Sequence, residues 1–127
     1  RRATMNQAEI YVDEEKFTKA KSYYKYLWTL DQEDPGAWLM YGTVMWRSKA
    51  VRDATEAWTT AEQLLVEFGG KGLQEVQTDL LKYAVIYTSE MLAGEGNRTD
   101  ARKWIEATNA LFSNDREVQA VLRSIGG

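Results

Sequence analysis

The sequence contains no cysteine and no histidine. Their absence excludes disulfides, thiolate nucleophiles and histidine-based metal sites, and it removes the most common general base of enzymes. We therefore predict a protein that is not an enzyme, with no catalytic residue, no metal site and no cofactor. Chemistry carried by aspartate, glutamate, lysine, tyrosine or serine stays open as the least favoured alternative.

Long apolar runs and an excess of positive charge are also missing. The longest apolar runs span only a few residues, such as 83–87, whereas a membrane helix needs about 18 or more. We therefore expect no membrane span. The net charge of −3 argues against sequence-independent binding of nucleic acid, which requires a basic surface. The compartment, cytoplasmic or periplasmic, stays open, because a cysteine-free chain suits both and the presence of a targeting segment upstream of Arg1 is left open.

The length, the composition and the spacing of apolar residues indicate one helical domain. The chain has 127 residues, of which 44% are hydrophobic and 28% charged, which suits a single globular domain over 1–127. Apolar residues recur at spacings of three and four, and no hairpin signal is flanked by alternating residues. We predict an all-α fold of six to seven helices in antiparallel pairs.

The predicted helix boundaries depend on polar residues that are suited to cap the start of a helix. Asp13 is predicted to cap the second helix, and Asp34 followed by Pro35 to begin the third. Thr99 or Asp100 is predicted to cap the sixth helix. The last helix covers about 115–125, and the glycine-rich stretch 69–72 is predicted to be a turn rather than a phosphate-binding loop.

A pattern of small and bulky residues recurs along the first half of the chain at an offset of 34 residues. The first copy consists of Ala20, Tyr24, Leu27 and Leu30, and the second of Ala54, Trp58, Ala61 and Leu64. Between the copies lie Trp38, Tyr41, Gly42 and Met45. In this spacing the chain resembles the tetratricopeptide repeat (TPR), a helix–turn–helix unit of 34 residues. It departs from the family pattern where Gln32 and Val66 stand in place of the closing proline.

The resemblance implies a right-handed superhelix of stacked helix pairs. The repeat units would cover about 4–30 and 36–66, with a divergent third unit at about 82–112 and a capping helix at 115–125. The first helix of each pair would form most of a concave groove. The residues that match repeat core positions, and are predicted to be buried, are Trp38, Tyr41, Gly42, Met45 and Trp58.

The opposite faces of these helices are predicted to line the groove and bind a partner. The predicted groove residues are Met5, Glu9, Val12, Leu39, Thr43, Trp46, Arg47, Tyr83, Ile86 and Glu90. Tryptophan, tyrosine and arginine dominate the energetics of many interfaces, which favours this face. An alternative for Trp46, left open by the sequence, is that it packs on the long fifth helix.

The function predicted from the resemblance is that of a protein–protein interaction module that docks a peptide or helix of another protein. Some family members grip the partner's terminal carboxylate with lysine, asparagine and arginine. Here Met5, Glu9, Leu39 and Thr43 stand at those places, so a more apolar peptide is expected. One alternative is a chaperone of the bacterial type III secretion translocator class, which the stretch 20–42 resembles. Another is a self-assembling structural scaffold.

Two acidic clusters, at 13–15 and 31–34, allow a second interpretation. Carboxylates at such spacing suit metal binding or acid–base chemistry. Both clusters stand at predicted helix starts, where acids interact favourably with the helix dipole. Helix capping is therefore the preferred interpretation.

Overall fold

The structure, a computed structural model, describes residues 2–68 and 72–126, and within them it consists of seven α-helices without a strand. The helices are α1 (Arg2–Asp13), α2 (Phe17–Leu30), α3 (Pro35–Arg47), α4 (Val51–Phe68), α5 (Glu75–Gly94), α6 (Arg98–Ala107) and α7 (Arg116–Gly126). The prediction of an all-α fold with six to seven helices is thus confirmed. In the described ranges, no helix combines the length and apolar character that crossing a membrane requires.

Two of the predicted helix starts are confirmed in atomic detail. Pro35 is the first residue of α3, and the carboxylate of Asp34 accepts a hydrogen bond from the backbone N–H of Ala37 at 3.3 Å. The carboxylate of Asp115 likewise accepts from the N–H of Val118 at 3.0 Å. Both aspartates satisfy backbone donors that a helix leaves unpaired in its first turn.

Two other predicted caps are wrong. Asp13 is the last residue of α1 rather than the cap of α2, because the chain turns through Glu15 in a left-handed conformation with φ of 59°. The N–H of Lys16 then donates to the carbonyl of Tyr11 at 2.8 Å, which closes the end of α1. The sixth helix begins after Asn97, ahead of both residues predicted to cap it.

Helix α3 lies at the centre of the fold, where it packs against α2, α4 and α5. Helix α1 packs against α2, and α5 packs against α6 and α7. Most of α3 is buried as a result, and its buried residues are Pro35, Gly36, Ala37, Leu39, Met40, Gly42, Thr43, Val44 and Met45. A helix that is apolar on nearly every side is typical of a core position.

Two glycines allow α3 to approach its neighbours closely. A methyl group at Gly36 would lie 2.8 Å from the backbone nitrogen of Leu81 in α5. At Gly42 the same group would lie 2.5 Å from Cδ1 of Trp58 in α4. The first contact involves backbone, which cannot move aside as a side chain can, so α3 and α5 hold this distance only with glycine at position 36.

Polar contacts inside the core fix the register of the packed helices. The hydroxyl of Thr43 donates to the carbonyl of Leu39 at 2.8 Å and lies 2.6 Å from the hydroxyl of Thr88 in α5. Ser89 donates to the carbonyl of Ala101 at 3.0 Å, which joins α5 to α6. Buried hydroxyls cost free energy unless they are paired, so these bonds disfavour a shifted alignment of α5.

We expect Gly36→Ala to lower the free energy of unfolding by about 2 kcal/mol, because overpacking against backbone outweighs the better helix propensity of alanine. The matched control is Gly94→Ala, since nothing lies within 4 Å of an added methyl group at the end of α5. The control should raise stability by about 0.5 kcal/mol. Urea unfolding of the two variants measures both effects, and equal stability of the two would contradict the close approach.

Candidate functional site

A cleft of about 430 Å³ runs along one side of α5. It is lined by Asp79, Lys82, Tyr83, Ile86, Tyr87 and Glu90 of α5, together with Glu117 of α7. The α5 residues follow one another at helical spacings of three and four, so they form one stripe along the helix. We call this feature the α5 cleft.

The middle of the α5 cleft is apolar and aromatic. The rings of Tyr83 and Tyr87 stack with their centroids 6.0 Å apart, and Ile86 lies half-buried beside them. The opposite side of α5 is committed to the core, where Leu80 and Ala84 are fully buried. The stripe in the cleft is therefore an apolar part of α5 that the rest of the described chain leaves partly uncovered.

Lys82, the one basic residue that lines the cleft, is already paired. Its ammonium group lies 2.9 Å from Asp115 and 3.1 Å from Glu117. These hydrogen bonds raise the pKa of Lys82. Burial opposes ionisation of Asp115, yet the bonds from Lys82 and from the N–H of Val118 outweigh it and lower the pKa of Asp115. With its lysine neutralised, the cleft presents a negative rim that includes Glu90.

A polar junction between α1, α2 and α5 adjoins the cleft at Tyr83. Tyr24 of α2 is fully buried, and its hydroxyl and the buried hydroxyl of Tyr83 lie beside each other with no other hydrogen-bond partner in the described chain. Burial, with the nearby charges of Glu9 and Asp13, holds the pKa of Tyr83 far above its usual range. We call the cluster of Tyr24, Tyr83, Glu9 and Asp13 the Tyr24–Tyr83 junction.

Glu9 is half-buried at this junction. Burial, and in second place the charge of Asp13, raises the pKa of the Glu9 carboxyl. Within the described part of the chain, neither Glu9 nor Asp13 forms an ion pair with a lysine or arginine. The junction thus brings two carboxylates, which no described lysine or arginine pairs with, to a pair of buried phenol hydroxyls that face each other.

Arg47 is the fixed cation at the far end of this region. It donates to the hydroxyl of Tyr87 at 2.6 Å and to the carboxylate of Glu15 at 3.3 Å, and its guanidinium lies 5.0 Å from the ring centroid of Phe17. The pKa of Tyr87 is raised by burial, which the charge of Arg47 only partly opposes. Arg47 therefore joins the end of α3 to α2, to α5 and to the α1–α2 turn.

Several of the predicted groove residues come together at this site. Tyr83, Ile86 and Glu90 line the α5 cleft, Glu9 lies near Tyr83, and Arg47 contacts the cleft through Tyr87. The lining residues that the groove prediction missed are Asp79, Lys82, Tyr87 and Glu117. The α5 members follow the predicted ones at helical spacing, so the stripe itself was the signal. No sequence signal brings α7 to this position.

Three predicted groove residues are instead buried in the core and cannot contact a partner in this structure. Leu39 and Thr43 are 0% exposed and Val12 is 2% exposed. The physical reason for the first two is that α5 packs directly on this side of α3, with Thr43 bonded to Thr88. The side chain of Met5 lies outside the described residues.

Trp46 lies away from the α5 cleft. Its ring stacks on Trp58 with centroids 5.1 Å apart, and its indole N–H donates to Glu95 at 3.0 Å. It lines a second cleft of about 300 Å³ with residues of α4 and α6, including Trp104. Glu95 directly follows α5, so Trp46 is joined to the end of that helix by one hydrogen bond, but its ring packs on α4 rather than along the fifth helix.

The predicted core residues of α3 differ in their burial. Gly42 is buried and Met45 is only 7% exposed, as predicted, whereas Trp38 and Tyr41 are half-buried. Trp38 stacks on Trp28 of α2 with centroids 4.3 Å apart, and Tyr41 meets Trp28 edge-on. These rings thus join α2 to α3 at the edge of the core.

Some residues of the two acidic clusters, 13–15 and 31–34, accept hydrogen bonds from backbone N–H groups. Asp34 caps α3, and Asp31 accepts hydrogen bonds from the N–H of Glu33 and from Gln77 of α5. The cluster at 13–15 ends α1 instead of starting α2. Over residues 2–68 and 72–126, no group of three or more carboxylates is arranged to hold a metal ion.

Comparison of the sequence with protein-family models and with curated proteins gave no match. Any assignment of function therefore depends on the geometry of the α5 cleft and of the Tyr24–Tyr83 junction.

Removal of the buried hydroxyl of Tyr24, which has at best a poorly formed hydrogen bond to Tyr83, should stabilise the protein. We expect Tyr24→Phe to raise the free energy of unfolding by about 1 kcal/mol, because a buried polar group without a partner carries a desolvation cost. Denaturant unfolding at neutral pH measures the change. A loss of stability would show that the hydroxyl is satisfied in the free protein.

The raised pKa of Glu9 makes stability depend on pH. Since the folded protein binds this proton more tightly than the unfolded chain, the contribution of Glu9 is fully present below its unfolded pKa and is lost as pH rises through its folded pKa. We expect Glu9→Gln to raise the melting temperature at pH 7 and to leave it nearly unchanged at pH 4. Thermal unfolding of both proteins across this range tests the sign, and a destabilised variant at pH 7 would contradict it.

Proposed function

We propose that the chain is a TPR-like protein-interaction module that docks a segment of a partner protein in the α5 cleft. The observation that carries the proposal is the half-buried stripe of Tyr83, Ile86 and Tyr87, which a packed helix leaves open inside a cleft. Aromatic and aliphatic side chains in a concave site gain free energy when a partner removes them from water.

The negative charges around the stripe indicate which charge the partner segment should carry. Glu90 lies exposed on the rim, Lys82 is neutralised by its two acidic neighbours, and Glu9 and Asp13 add negative charge at Tyr83. Complementary charges steer association and select among partners. The segment that fits best has apolar residues on one side and basic residues at its edges, as in an amphipathic helix.

Packing between α3 and α4 supports the repeat interpretation. Gly42, which stands at the small position of the repeat, brings α3 against the ring of Trp58 and the carbonyl of Ala54. Consecutive helices pack in pairs, and α3 also packs on α5, the first helix of the predicted third unit. Both features are expected of stacked helix pairs, in which each pair covers the apolar face of the next.

Ile86→Asp should weaken docking strongly, because it places a charge in the middle of the apolar stripe. Amphipathic peptides selected from a display library on the unmodified protein provide the probes, and titration calorimetry measures their affinity. We expect affinity to fall about tenfold or more, as for truncation of an interface hot spot. Chemical-shift changes on binding should centre on the amides of Tyr83, Ile86 and Tyr87.

The control variant is Val66→Asp, which adds the same charge on α4 at a side chain that is 82% exposed and outside the cleft. It should leave affinity unchanged. Glu90→Lys serves as a second test at an exposed position, where the fold is insensitive to the change, and it should weaken the binding of basic peptides. Peptides that bind all three variants equally well would refute the assignment of the cleft.

A further inference from the structure

A second cleft, of about 300 Å³, lies between α4 and α6 and is lined by three of the five tryptophans of the chain. These are Trp46, Trp58 and Trp104, and we call the feature the tryptophan cleft. Trp46 and Trp58 are half-buried, whereas Trp104 is only 2% exposed and forms the most buried part of the lining. The rings of Trp58 and Trp104 meet at 62° with their centroids 6.3 Å apart. The cleft thus holds indole surface that the rest of the described chain leaves partly uncovered.

The hydrogen-bond donors of two tryptophans and two threonines in this lining are already used. The indole N–H of Trp46 donates to Glu95 at 3.0 Å, and that of Trp58 donates to a backbone carbonyl of α3 at 3.2 Å. The hydroxyls of Thr55 and Thr59 donate to backbone carbonyls of α4 at 2.9 and 2.8 Å. An anionic ligand, which needs donors, would therefore find few in the tryptophan cleft.

The charge of the lining is negative. Glu62 and Asp100 contribute carboxylates, and Lys103 is the one basic residue among the described residues that line the cleft. Lys103 pairs with Glu62 at 2.8 Å, whereas Asp100 forms no ion pair within residues 2–68 and 72–126. Glu95, bonded to Trp46, adds a further carboxylate at the edge. A ligand with positive charge is therefore complementary to the cleft.

The position of Lys103 shows where this cleft stabilises a cation. Its ammonium group lies 5.1 Å from the ring centroid of Trp104, which is within the range of a cation–π interaction. The lysine side chain is 46% exposed and its partner Glu62 is 47% exposed, so their ion pair adds little stability. A ligand cation can take the place of this ammonium group over Trp104 while the flexible lysine stem turns into solvent.

We propose that the tryptophan cleft binds a small methylated ammonium ion, with its charge over the ring of Trp104 and opposite the carboxylates of Glu62 and Asp100. The methyl groups of such an ion need no hydrogen bonds, and tryptophan is the ring that cations bind best. A bare ammonium group would lose hydration that indole rings do not replace. The tryptophan cleft shares no lining residue with the α5 cleft, so this inference does not depend on the docking of a partner segment.

The test compares choline with its neutral analogue, in which a carbon atom replaces the charged nitrogen. We expect choline to bind about fivefold more tightly or better, because the two molecules have the same shape and differ in charge. The side-chain N–H signals of the five tryptophans in isotope-labelled protein report the place of binding. Titration with choline should shift the signals of Trp46, Trp58 and Trp104 and leave those of Trp28 and Trp38 unchanged.

Two matched pairs of variants assign the binding to the cleft. Trp46→Leu removes ring surface from the lining, and Trp38→Leu is its control, because both tryptophans are half-buried on α3 and stack on a second tryptophan. Asp100→Asn removes a charge from the first turn of α6, and Asp53→Asn removes one from the first turn of α4 outside the cleft. The first variant of each pair should weaken choline binding about threefold or more, and each control should leave it unchanged.

Lys103→Met tests the displacement directly. It keeps the apolar stem and removes the competing charge at an exposed position, so choline should bind about threefold more tightly or better. Weaker or unchanged binding in this variant would overturn the proposed position of the ion. Equal binding of choline and its neutral analogue, or equal shifts at all five tryptophans, would overturn the site itself. If Trp46→Leu fails to fold, the substitutions at the exposed positions 100 and 103 decide.

Discussion

The rest of the structure depends on the close approach of α3 to α5. At Gly36 the two helices come so near that a single methyl group would meet backbone, and this contact brings α5 across the side of α3 that carries Leu39 and Thr43. The bond between Thr43 and Thr88 then fixes where along α3 the longer helix lies. Once α5 is placed in this way, one of its sides faces the core and another is left to form the cleft.

The elements of the fold were largely predictable from the sequence because local signals determine them. Asp34 with Pro35 marks the start of α3 through a side-chain hydrogen bond and a preset backbone angle, both of which operate within a few residues. The start of α2 was misplaced because Asp13 is well suited to cap a helix, whereas it ends α1 and the left-handed conformation of Glu15 turns the chain before α2 begins at Phe17. Nothing in the residue type of glutamate predicts that conformation.

The site was less predictable because it depends on which sides of the helices meet. The spacing of Tyr83, Ile86 and Glu90 correctly identified a stripe on α5, since residues on one helix keep their order around its axis. The same argument placed Leu39 and Thr43 toward a partner, yet α5 covers them. Helical period tells which residues share a side of α3, but it carries no information about which helix packs on that side. Glu117 and Tyr24 reach the site through tertiary packing alone.

The way α1 is attached has a mechanical consequence for the site. The side of the cleft formed by α5 is supported by α3, α6 and α7, whereas α1 packs mainly against α2. Glu9 is held in place through α2, which packs on α3 as α5 does. Arg47, the last residue of α3, bonds to Glu15 and to Tyr87, so it ties the α1–α2 turn to α5. A change at Arg47 therefore reaches both sides of the site at once.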